Sequence, residues 1–106
     1  MAKLVESEVV SKQFFKSLGF NILERDFEGI KKGCDFFIED GGCIQSVEAK
    51  AKMGKWIQML KPQVDRVKNG GLIAIVYKGK VEIKTLNDIE KIEEITVYRI
   101  TFKKKE

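Results

Sequence analysis

Three side chains near the middle of the chain are of types, and at a spacing, that could do chemistry together. Asp35 is followed by twelve intervening residues and then Glu48, which lies two positions before Lys50 in Val47-Glu48-Ala49-Lys50. Side chains alternate along a strand, so Glu48 and Lys50 project from one face about 7 Å apart. The turn Glu39-Asp40-Gly41-Gly42 reads as a hairpin that lays the Asp35 segment beside the Glu48 segment. An Asp and a Glu converging in this way form the oxygen-rich cage that hard cations such as Mg²⁺ or Mn²⁺ prefer. A lysine beside such an ion can position an attacking water, while the ion polarises a phosphate. The chain contains no His. That excludes imidazole general acid/base chemistry and Ser-His or Cys-His nucleophiles, but not metal-assisted phosphodiester cleavage.

The elements that must position these groups follow from pattern. Residues 3–18 read as a helix with Leu4, Ser7, Ser11, Phe14, Phe15 and Leu18 on one side and Gly19 as a stop. Glu8 falls on that same side, where an acid needs an explanation. Strands are expected over 20–27, 34–38 and 43–51. A helix is expected over 55–69, with Trp56, Met59, Leu60, Gln63, Val64 and Val67 on one face. Pro62 requires either a kink or a helix that begins afresh at Lys61–Pro62. Residues 72–77 are apolar throughout and predict a covered strand. Strand 81–85, a short helix capped by Asn87 and Glu90, strand 95–102 and a charged tail at 103–106 complete the chain. The order αβββαββαβ predicts an α/β fold, a mixed β-sheet flanked by helices, as a single domain over 1–106.

Composition adds bounds. The length of 106 residues leaves room for one core, and the net charge of +4 fits a nucleic-acid partner without demanding one. The excess of bases lies after Lys50. Cys34 and Cys43 sit in apolar segments, so buried reduced thiols are expected in preference to a disulfide. Lys3, Glu6 and Glu8 interrupt the N-terminal apolar residues, and no apolar run is long enough to span a bilayer, so a soluble cytoplasmic protein without membrane association is expected.

With Asp35, the interval to Glu48-Ala49-Lys50, and the preceding helix carrying Glu8, the sequence resembles the PD-(D/E)xK nuclease superfamily, which has the restriction-endonuclease-like fold. Its layout is most similar to archaeal Holliday-junction resolvases and similar small stand-alone nucleases. The likeness rests on Glu8 eleven residues before Gly19-Phe20, on the Asp35-to-Glu48 interval, and on Asn69-Gly70-Gly71 leading into Leu72-Ile73-Ala74-Ile75-Val76. It covers residues 4–77. Cys34 stands where the motif's name has Pro, and no Ser or Thr occurs between Gly19 and Gln45, where the resolvases carry a functional Ser. The resemblance implies Asp35 and Glu48 as metal ligands, the Ala49 carbonyl as a backbone ligand and Lys50 as the water-positioning cation. It further implies Glu8 as an additional acid, acting directly or through water, and Gln63 as a polar residue facing the site from the following helix.

These readings together predict a metal-dependent endonuclease acting on DNA. Recognition is expected to be of structure, such as a junction, flap or end, because no add-on recognition domain is present. The competing reading is a nuclease-fold module that binds nucleic acid or a protein without cutting, and RNA cleavage stays open. Lys52, Lys55, Lys61, Arg66 and Lys68 suggest an electrostatic track for a phosphate backbone. Trp56 reads as a core or interface aromatic. A homodimer is expected, through an apolar surface carrying Trp56, Met59 and Leu60 or through the last strand.

Overall fold

The computed structural model describes residues 6–23, 34–51 and 56–103. Helix α1 (Glu6–Ser17) buries Ser7, Ser11 and Phe15, which are spaced four apart along one stripe. Two of the three are serines, and the Ser11 hydroxyl donates to the Ser7 carbonyl at 2.7 Å within the helix. Gly19 adopts φ +93° just beyond the helix, and the Gly19 N–H closes the turn on the Lys16 carbonyl at 3.0 Å. Leu18, expected on the inner stripe, is exposed, because the helix has ended before it can turn inward.

Strands β1 (Asn21–Leu23), β2 (Phe36–Asp40) and β3 (Cys43–Ala51) form an antiparallel meander. Asp40 pairs with Cys43 across Gly41 and Gly42, whose φ values of 59° and 87° suit a two-residue type I′ hairpin. Both cysteines are free thiols. Cys43 is exposed rather than buried, because the hairpin end projects past the core.

The stretch expected to be a helix over 55–69 divides in two. Residues Trp56–Met59 form strand β4, and helix α2 (Lys61–Lys68) begins afresh with Pro62 in its first turn, where a missing N–H costs nothing. In β4, Ile57 and Met59 point inward while Trp56 and Gln58 face out, so period-two burial prevails over the helical spacing of Trp56, Met59 and Leu60. Helix α2 ends in a Schellman arrangement. The Gly70 N–H donates to the Val67 carbonyl at 3.1 Å, and the Gly71 N–H donates to the Arg66 carbonyl at 2.8 Å.

Strand β5 (Leu72–Tyr77) runs parallel to β3, and β6 (Lys80–Lys84) returns antiparallel to it. A 3₁₀ turn at Leu86–Asp88 follows, capped by Asp88 accepting the Thr85 N–H at 2.8 Å. The short helix expected from Asn87 through Glu93 is instead strand β7 (Ile89–Glu94), which pairs with β8 (Tyr98–Phe102), shorter than the expected 95–102. The register shifts between Ile89 and Lys91, and this bulge lets both Ile89 and Ile92 pack inward at a spacing of three, which resembles a helix.

The strands form two sheets, a five-stranded mixed sheet in the order β1-β2-β3-β5-β6 and a three-stranded antiparallel sheet in the order β4-β8-β7. On one face of the larger sheet, Phe36, Ile38, Val47 and Ala74 pack with Phe15 of α1. On the other, Ile73 and Ile75 pack with Val64 and Val67 of α2 and with Ile57, Met59 and Ile100 of the smaller sheet. The result is an α/β arrangement whose element order differs from αβββαββαβ. Of the residues expected at a dimer surface, Met59 is only 2% exposed in the core while Trp56 and Leu60 are exposed, and β8 is the middle strand of its sheet. No helix among the described residues is long and apolar enough to cross a membrane.

Candidate active site

The pleat of β3 separates the site from the α1 side of the sheet. Val47 and Ala49 face α1, whereas Ser46, Glu48 and Lys50 face α2. Asp35 stands immediately before β2, extending its ladder through its N–H, which donates to the Val47 carbonyl at 2.9 Å. Its carboxylate is fixed in turn, because Oδ2 accepts the Ala49 N–H at 2.8 Å. One backbone segment, Val47 to Ala49, therefore orients Asp35 from both its main chain and its side chain.

The Glu48 side chain lies within hydrogen-bonding reach of Asp35, and Glu48 is 5% exposed. Burial is the main reason its carboxyl is pushed up to about 8, with the neighbouring Asp35 charge acting in the same direction and Lys50 opposing it. Asp35 is also raised, chiefly by burial; the Ala49 N–H lowers it, and the charge of Glu8 raises it further. Two carboxyls this close do not readily carry two negative charges without a cation.

Helix α2 supplies the third side of the cluster. The Gln63 amide donates to Glu48 Oε2 at 3.1 Å, and its Oε1 accepts the Leu60 N–H at 2.8 Å and the Lys50 ammonium at 3.3 Å. Lys50 Nζ is also 3.5 Å from Glu48 Oε2. Because Gln63 caps the start of α2 with the same oxygen that receives Lys50, the helix N-terminus and the Lys50 ammonium share one anchor. Gly71 allows α2 to close on β3. A Cβ there would lie 2.5 Å from Ser46 Oγ and 2.9 Å from the Arg66 carbonyl oxygen.

Glu8 is near enough to act electrostatically on Asp35, but its carboxylate is held by Lys12 at 2.9 Å. Lys12 is a partner that sequence reasoning overlooked, although its i,i+4 position from Glu8 is the signal that identifies it. The basic track is only partly described: Lys52 and Lys55 lie outside the described residues. Lys61 bonds Asp65 at 3.2 Å, the Arg66 guanidinium sits 5.5 Å from the Phe37 ring centroid, and Lys68 is exposed. Lys61, Pro62, Asp65, Arg66 and Asn69 line an open surface concavity along α2. Trp56 faces solvent from β4 with the Arg99 guanidinium 4.6 Å from its ring centroid.

Among the described residues, no group of three or more His, Cys, Asp and Glu side chains is arranged to hold a metal ion. Asp35 and Glu48 form a pair, and hard divalent cations complete such pairs with backbone carbonyls and water. The pair fits such a cation chemically, since all its donors are oxygen and its charge calls for neutralisation. No family model matches the chain, and no curated protein does.

Proposed function

We propose that the protein is a metal-dependent nuclease that hydrolyses DNA phosphodiester bonds at Asp35, Glu48 and Lys50. The observation that carries this reading is the buried Glu48 carboxyl beside the half-buried, like-charged Asp35, with a lysine ammonium 3.5 Å from Glu48. Asp35 and Glu48, with the Ala49 carbonyl, would hold Mg²⁺ or Mn²⁺. The ion, when bound, supplies charge neutralisation and polarisation of the scissile phosphate.

The remaining work falls to the chain's own residues. The Ala49 N–H holds Asp35, and Gln63 holds Glu48, so both carboxylates are oriented before any ligand arrives. Lys50 is anchored by Glu48 and Gln63 yet keeps part of its side chain open to solvent. From there its ammonium can donate to the oxygen of an attacking water and fix its direction toward phosphorus. In the hydrolysis, water oxygen bonds to phosphorus as the water gives up a proton to solvent, the bond from phosphorus to the leaving oxygen breaks, and that oxygen takes up a proton from solvent. Glu8 contributes negative charge near Asp35 while bound to Lys12.

The reading is tested by incubating wild type, Asp35→Ala and Lys50→Ala with supercoiled plasmid, linear duplex and four-way-junction DNA in Mg²⁺, Mn²⁺ or EDTA. Cleavage by wild type with either metal, abolished by EDTA and by both substitutions, is the expected result. A wild type that cuts nothing would leave a fold that binds without cutting, and variants that cut as well as wild type would remove Asp35 and Lys50 from the reaction.

A further inference from the structure

The parallel strands β3 and β5 end side by side, and ligands of α/β sheets gather beyond the carboxyl ends of such strands. Lys50 pairs with Ile75. Tyr77 therefore lies on the face of Lys50, one strand across and two residues further on, with Cα atoms roughly 8 Å apart. Tyr77 is 50% exposed, whereas Ile73, Ala74, Ile75 and Val76 before it are all buried.

The local backbone builds a basic rim around this ring. Lys78 and Gly79 adopt φ values of 49° and 77°, making a tight β5–β6 hairpin in which Tyr77 pairs with Lys80. The turn holds the Lys78 ammonium 5.3 Å from the Tyr77 ring centroid. Glu82, the acid on the same face of β6, is bound by Lys84 at 3.1 Å, and neither Lys78 nor Lys80 forms an ion pair with a described residue.

We propose that Tyr77, Lys78 and Lys80 form a stacking site for an unpaired nucleobase of the DNA strand engaged at Asp35, Glu48 and Lys50. The proposal rests on the nuclease reading for its choice of polymer. The two lysines complement phosphates, and the exposed ring offers a π-face to a base. Bases within a duplex are already stacked on both sides. Only a base at a frayed end, flap or junction can reach Tyr77, so the surface selects DNA by its unpaired nucleotides.

The test is equilibrium binding in EDTA, where no hydrolysis is read. Fluorescence anisotropy is measured with a labelled duplex that is blunt, carries a short thymidine tail, or carries an abasic tail of equal length. Wild type is expected to bind the thymidine tail about tenfold more tightly than the blunt or abasic forms. Tyr77→Ala is expected to lower affinity for the tailed DNA about tenfold and leave the blunt duplex unchanged, while Tyr77→Phe retains the preference. The proposal is overturned if wild type shows no tail preference or binds no DNA. It also fails if the abasic tail binds as well as thymidine, or if Tyr77→Ala keeps the preference or weakens all three DNAs alike. A protein that shows the preference but cuts no DNA with either metal contradicts the nuclease reading alone. One that cuts but ignores the tail contradicts this site alone.

Discussion

The two faces of strand β3 carry opposite solutions to burial. Toward α1, Val47 packs with Phe36, Ile38 and Ala74 in a cluster made of hydrocarbon. Toward α2, residues from the same strand bury Ser46 and Glu48 and hold Lys50 against Gln63. Apolar burial on the first face stabilises the fold in proportion to area removed from water. The second face sacrifices some of that gain to keep charged groups oriented out of water. The difference separates residues that hold the sheet together from residues that the sheet holds in place.

The comparison can be broken most severely on the apolar face. Phe36 is 0% exposed, and Phe36→Ala is expected to destabilise by about 3–5 kcal/mol in urea unfolding. A much smaller loss would mean that the α1 side is loosely packed.

The polar face predicts a pH effect of smaller size and of definite sign. Because the folded state raises the Glu48 carboxyl from its ordinary value of 4.5 to about 8, folding takes up a proton between those values. The associated stability is fully present below the ordinary carboxylate range and is lost as pH rises through about 8. Thermal unfolding in EDTA should therefore show wild type losing stability from pH 6 to pH 9, by up to a few kcal/mol, with Glu48→Gln nearly flat across that window. Equal slopes for both proteins would remove Glu48 as the source.

Gly71→Ala should cost about 1–3 kcal/mol, because Arg66 backbone stands where the new methyl group must go. The same change displaces the end of α2 from β3, so it should also lower nuclease activity through Gln63, an effect that Phe36→Ala lacks if the protein is assayed well below its melting temperature. The smallest effect belongs to the exposed Lys61–Asp65 pair. Replacing Lys61 by Ala should change stability by no more than about 0.5 kcal/mol.

Much of the polar face was legible in sequence because its determinants are local. The Glu48/Lys50 alternation, the Gly41-Gly42 hairpin and the break at Pro62 each depend on a few adjacent residues, and together they bring Asp35, Glu48, Lys50 and Gln63 into one cluster. The smaller sheet was not legible. Ile89 and Ile92 carry a helical spacing that only a bulge reconciles with a strand, and the inward alternation of Ile57 and Met59 is shorter than the helical pattern overlapping it. Their strand state depends on pairing with β8, a contact distant in sequence from β4. The capping residues were misread for a related reason: the Thr85–Asp88 box closes a single turn before β7 takes over.

The central claim is that Asp35 and Glu48 together hold a divalent cation, and thermal unfolding at pH 8 with and without Mg²⁺ or Mn²⁺ tests it most directly. A cation that binds the folded state raises its stability by mass action. Wild type should gain several degrees with saturating metal, and Asp35→Asn and Glu48→Gln should each lose that gain while remaining folded. No gain in wild type, or the same gain in both variants, would contradict the account.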